Sequence, residues 1–203
     1  MRSSRHHASS LLCLLLLSSC STTASAAPAA PPCPWCGASD APASLGATSR
    51  IAPVGEAGVP LDITGTVVSP DGRTPVAGVL IYAYHTNARG IYPRRDDETG
   101  RAQEHGSLRG WVRSDAQGRY RFTTIRPAPE AGGTEPAHIS LTVAVERRRE
   151  ARIDSIEFDD DTLLTTAVRQ QRQNAGGSGI VHPVADARGV QHVVRNIILQ
   201  GGA

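Results

Sequence analysis

Between Leu61 and Leu199 the chain is cut into short apolar runs, each closed by Gly, Pro or Asp, and helical periodicity is weak throughout. This punctuation constrains the fold more than any other feature, because short strands must bury one face against a second layer. "LDITGTVV" alternates Leu61, Ile63 and Gly65 with polar partners and meets the turn "SPDGRTP". "VAGVLIYAYHT" is rich in β-branched and aromatic residues, as a buried strand should be. "SLRGWVRSD", "AQG" and "RYRFTTI" read as a hairpin that offers Trp111 and Phe122 to a core. "AHISLTVAVE" and "HVVRNIIL" add two more strands. Only Thr162 to Asn174 has a helical pattern, ending near Gly176 and Gly177. The expectation is an all-β chain: an antiparallel β-sandwich with long loops and at most one short helix.

The first residues have another purpose. Arg2 and Arg5 precede the apolar run Leu11 to Leu17, the layout of an export signal over residues 1–19. The run is well short of the roughly 20 residues that span a bilayer. "LSSC" resembles a bacterial lipobox, which would make Cys20 the lipidated first residue of a membrane-anchored lipoprotein, at the cell surface or in the periplasm. "ASA" (Ala24 to Ala26) is the competing signal-peptidase site and would mean plain secretion. Residues 21–50 are dominated by Ala, Pro, Ser and Thr, so 20–57 read as a flexible tether and 58–203 as the folded domain.

Charge and cysteines narrow the classes. The chain has 21 Lys plus Arg and 19 Asp plus Glu, and every one of the 21 is arginine. Without Arg2 and Arg5 the two signs balance, and only Arg147, Arg148 and Arg149 cluster, so no basic face for nucleic acid is expected. Cys33 and Cys36 in "CPWCG" have thioredoxin-like spacing, but no βαβ unit follows. A local disulfide that pins the domain's start is the preferred reading, with a thiol redox role as the weaker one. "RREARIDSIEFDDD" contains Glu157, Asp159, Asp160 and Asp161 without EF-hand spacing, and reads as a solvated loop.

The order of longer motifs goes further. "VLIYAYHTNARGIYPRR", followed by "LRGWVRSDAQGRYRFTTIRPAPEAGGTEPAHISLTV", resembles the core of an intradiol ring-cleavage dioxygenase. The likeness covers about Leu61 to Val145, with a fainter echo in "EFDDDTLLT" and "GGSGIV". It implies a non-haem Fe(III) enzyme that opens a catechol-like aromatic between its hydroxyls with O2. In that family two tyrosines and two histidines hold the iron. By resemblance Tyr92 in "RGIYP" takes the first tyrosine position, and His138 the first histidine position. The second tyrosine position holds Glu130 and the second histidine position Ser140. Glu135 stands where an arginine often precedes "PAH".

Glu130 supplies an anionic oxygen that a hard ferric ion accepts, and it could double with Tyr92 in the proton chemistry. As a base it is weaker, since a free glutamate has a pKa of about 4.3 against about 10 for tyrosine. Ser140 is a poor ligand, and nothing in the sequence brings His85, His105 or His182 to replace it. Reduced iron affinity is implied. Individually, Tyr92 could cap a loop, Glu130 could be solvated, and His138 could be a core histidine bonded to a carbonyl. The alternative function is a catalytically impaired, membrane-tethered binding module of the same fold.

Overall fold

The computed structural model describes residues 33–146 and 148–201. The expected signal sequence, the lipobox cysteine Cys20 and the competing cleavage site lie outside the described residues. Among the described residues no helix is long and apolar enough to cross a membrane.

Among the described residues eleven strands follow in chain order: β1 (Thr48–Arg50), β2 (Pro60–Val68), β3 (Leu80–His85), β4 (Arg109–Arg113), β5 (Arg119–Ile125), β6 (His138–Ala144), β7 (Ala151–Phe158), β8 (Ile180–Val181), β9 (Val184–Ala185), β10 (Gln191–Val194) and β11 (Ile197–Ile198). Two short helices accompany them, α1 (Ala102–His105) and α2 (Thr166–Gln170). One sheet runs β1-β5-β2-β10-β9, with β11 also beside β2, and the other runs β4-β3-β6-β7-β8. Alternation explains the layering. Leu61, Ile63 and Val67 of the first sheet share one buried cluster with Ile81, Val112, Ile139 and Leu141 of the second. The result is a β-sandwich.

The long pairings β2–β5, β3–β4, β3–β6 and β6–β7 are antiparallel. Parallel pairing is confined to short additions: β1 on β5, β10 and β11 on β2, and β8 on β7.

Several expectations are corrected. β4 and β5 are not a hairpin: β4 pairs with β3 and β5 with β2, so the 115–118 turn carries the chain from one sheet to the other. The turn is tight, with Gly118 N donating to the Asp115 carbonyl at 2.9 Å, but the strands leave it in different layers. Phe122 is fully buried in the core, whereas Trp111 lies on the outer face of its sheet, stacked on Tyr82 at 5.1 Å. The folded unit begins near Cys33, not at 58. Residues 48–50 form a strand, Ile51 and Ala52 join the core, and Gly37 is buried. The tether reading failed there because backbone pairing and two small apolar side chains sufficed where a long apolar run was sought.

"ARIDSIEF", read as part of a solvated acidic loop, is strand β7. Glu157 is buried and takes two hydrogen bonds from Arg172, at 2.8 and 2.5 Å. The neighbouring acids are also engaged: Asp160 with Arg126, Asp161 with the Ala137 amide, and Asp159 with His182. Between β10 and β11, Arg195 is fully buried. It donates to the carbonyls of Gly176 (2.9 Å) and Asp154 (3.2 Å), while its own carbonyl accepts the Tyr120 hydroxyl at 2.5 Å. One buried residue thus ties three segments together.

Candidate functional site

Strand parity sets the site on the outer face of the β4-β3-β6-β7-β8 sheet. Tyr84 pairs with Ser140, Tyr82 with Thr142 and Trp111, and His138 with Glu157. Alternate residues share a face, so these side chains form one array outside the core. The β6–β7 register shifts between Ile139 and Leu141, placing a bulge beside Ser140. Such bulges re-aim side chains at functional faces.

One half of this face is covered. The disulfide Cys33–Cys36 closes a turn whose Cα atoms lie 5.3 Å apart. The following residues strap across the aromatic side chains. Glu150 accepts the amides of Gly37 and Ala38, each at 2.9 Å, and also the Thr142 hydroxyl. Trp111 Nε1 donates to the Gly37 carbonyl at 2.8 Å. His105 stacks on Tyr84 at 3.8 Å. Its Nε2 donates to the Pro34 carbonyl at 2.7 Å, so its Nδ1 accepts from the Tyr82 hydroxyl at 2.8 Å. Burial holds His105 below the ordinary histidine range, in keeping with that neutral ring.

Tyr92 sits at the border of the covered half. Asn87 Oδ1 accepts the amides of Arg89 and Ile91, and Gly90 closes the turn with φ 74°. Only glycine suits position 90. A side chain there would meet positive φ, and its Cβ would strike the Pro129 carbonyl oxygen. The close approach locks two loops together: Ala131 N donates to the Gly90 carbonyl at 2.9 Å, and Ala128 N to that of Asn87 at 3.1 Å. This is what brings Tyr92 and Glu130 near one another. Burial, with help from Tyr84 and the Glu130 carboxylate, pushes the Tyr92 phenol up to about 12, against the opposing pull of Arg152. The Tyr92 ring is half-buried, 6.2 Å from that of Tyr84, and Glu130 is exposed.

His138 opens the other half. Its Nδ1 donates to the Pro136 carbonyl at 2.9 Å, which leaves the Nε2 lone pair for a ligand. It lines a cavity of about 380 Å³ with Glu135, Arg152, Glu157, Gln171 and Arg172. Neither Tyr92 nor Glu130 lines that cavity. The structure therefore joins Tyr92 to Glu130 and sets His138 among arginines and carboxylates. Ser140 is buried, with 4% of its surface exposed.

None of the three histidines named as replacements, His85, His105 and His182, substitutes for Ser140. His85 is fully buried between the Thr86 carbonyl and the Thr124 hydroxyl, both at 2.7 Å, and burial pulls its pKa to about 4. His105 is committed to the strap, and His182 faces Asp159 at 3.0 Å. Among the described residues no three His, Cys, Asp or Glu side chains group so as to hold a metal ion. The donors at the four positions that the resemblance picks out are one half-buried phenol, one exposed carboxylate, one imidazole and one buried neutral hydroxyl. They do not fit the two-tyrosine, two-histidine set that the resemblance implies for a ferric ion, because a buried neutral hydroxyl stands in place of one imidazole. Sequence reading missed Arg152 and Arg172 as cavity residues. The alternation of Ala151, Ile153 and then Ile156 and Phe158 was the available signal, interrupted by the bulge at Asp154 and Ser155.

The fold and the placement of these residues define a β-sandwich whose candidate site lies on the outer face of one sheet. A family model described as "Dioxygenase" matches residues 38–199. The chain belongs to this family, the intradiol ring-cleavage dioxygenases. It is 38% identical over 106 residues to catechol 1,2-dioxygenase 1 of Acinetobacter lwoffii, covering 44% of this chain and 33% of that protein. It is 33% identical over 108 residues to the protocatechuate 3,4-dioxygenase beta chain of Burkholderia cepacia, covering 50% and 46%. The matched stretches therefore span less than half the length of these curated relatives. Among solved structures, the dioxygenase domain of a dioxygenase carbohydrate-binding protein fusion from Streptomyces sp. SirexAA-E matches with a TM-score of 0.58 and 17% identity, over 79% of this chain and 92% of that one. Catechol 1,2-dioxygenase from Pseudomonas arvilla C-1 gives a TM-score of 0.56 with 22% identity, over 79% and 59%.

Proposed function

We propose that this chain is a binding member of the intradiol dioxygenase family, one that takes a small catechol-like aromatic beside His138 without cleaving it. The observation that carries this reading is the donor set. Ser140 is buried and neutral at the second histidine position, and all three candidate replacement imidazoles have other partners. In the cavity, His138 Nε2, Arg152 and Arg172 offer polar contacts for a diol. The family likeness supports the aromatic class of ligand. In the same reading residues 1–19 direct export and Cys20 carries a lipid anchor, which rests on the "LSSC" pattern after the leucine run.

The test uses the full chain, catechol and ferric ion. Catechol should bind by calorimetry, with affinity reduced about tenfold in His138→Ala, the effect of losing one good polar contact. Oxygen uptake with catechol and added iron should be absent. The double variant Glu130→Tyr with Ser140→His should gain tight ferric binding and a visible phenolate-to-iron colour. Oxygen uptake and a ring-opened product from the unaltered chain, or no catechol binding at all, would overturn the proposal.

A further inference from the structure

A second cavity, of about 250 Å³, opens at the mouth of the sandwich, where the end of β6 and the start of β7 face the residues after β11. Its walls are apolar: Val143, Val145, Ile153, Ile198 and Leu199. Val143 and Ile153 belong to the core, and Ile198 is left 38% exposed. The rim is cationic, formed by Arg148, Arg149 and Arg152. Among the described residues none of these three guanidinium groups has a hydrogen bond or ion pair with a carboxylate, whereas seven other arginines do.

Three unpaired guanidinium groups around an apolar slot are complementary to a molecule with an anionic head and a hydrocarbon body. Guanidinium favours carboxylate because two parallel N–H donors match its two oxygens. The slot is smaller than the roughly 300 Å³ at which drug-sized ligand sites begin, so its occupant is small. We propose that this mouth is a binding site for a small amphiphilic carboxylate, with the tail between Val145 and Ile198 and the head on Arg148 and Arg149. The site adjoins the cleft beside His138 and shares Arg152 and Ile153 with it. It does not depend on the reading of that cleft.

Octanoate is the probe, titrated calorimetrically into the full chain. It should bind saturably, while octylamine, of the same length and opposite charge, should not. The double variant Arg148→Ser with Arg149→Ser should bind at least about tenfold more weakly, as expected for loss of charge-assisted bonds. Arg188→Ser, which removes an exposed arginine elsewhere, should leave the affinity unchanged. Both arginines of the double variant are exposed, so its fold should persist, and its thermal unfolding checks this. Octanol binding as tightly as octanoate would reduce the site to apolar adsorption and overturn the proposal. Unaltered affinity in the double variant would do the same. Binding to phosphatidylglycerol vesicles without any binding of octanoate would replace it with a membrane-surface contact.

Discussion

The two halves of one sheet face have opposite fates. On the side of β3 and β4, aromatic rings pile on each other and a disulfide-closed strap lies across them, burying Tyr82 fully. On the side of β6 and β7, His138 opens into a cavity whose walls are arginines, carboxylates and glutamine. Both halves come from the same alternating pattern, so alternation alone does not decide what a face becomes. The difference comes from what lies above it. Residues 34–38 find three polar partners at Glu150, Trp111 and His105, and none of these three lines the cavity beside His138. Covered surface serves stability, and open surface is left for ligands.

The comparison breaks most directly at Gly37. Any Cβ there would overlap the Tyr82 ring. Gly37→Val should therefore lift the strap and cost about 3 kcal/mol in chemical denaturation, the upper range for forced overpacking. Unchanged stability would mean that the covered half does not depend on its cover. The next effect concerns the disulfide. Replacing Cys33 and Cys36 together by serine should cost about 2 kcal/mol, since the closed loop is short. Hydrogen exchange should then rise at the Gly37 and Ala38 amides and stay unchanged along β6. The smallest effect belongs to the open half. Arg152→Ser removes an exposed side chain with no ion-pair partner among the described residues, so stability should change by less than about 0.5 kcal/mol. A larger loss in the same denaturation assay would show that the cavity is structural in role.

The long strands and the sandwich were legible because their buried positions recur at every second residue, as in Leu61, Ile63 and Val67. The edges were not. β1 is "TSR", three residues without an apolar signal, held by pairing with Arg121, Phe122 and Thr123. β7 was obscured by Asp154 and Ser155, whose bulge interrupts its alternation. The false hairpin had a physical cause as well. A tight turn between two β-rich runs specifies a reversal of direction but not whether the runs share a sheet. At the site, motif order located Tyr92, Glu130, His138 and Ser140 along the chain. It could not reveal that Tyr92 and Glu130 share loops while His138 faces a different set of neighbours, because that depends on the sheet and its bulge.

The ladder between the 87–91 and 128–131 loops is made of main-chain atoms, with Gly90 permitting their contact. Position 130 is consequently held in place whatever residue occupies it. Identity there is free to drift while location is not, so a lineage could lose or regain a metal-binding oxygen in one codon change without rebuilding the loop. The same property makes this chain a host in which donor atoms could be transplanted singly and their contributions to metal affinity measured against a constant backbone.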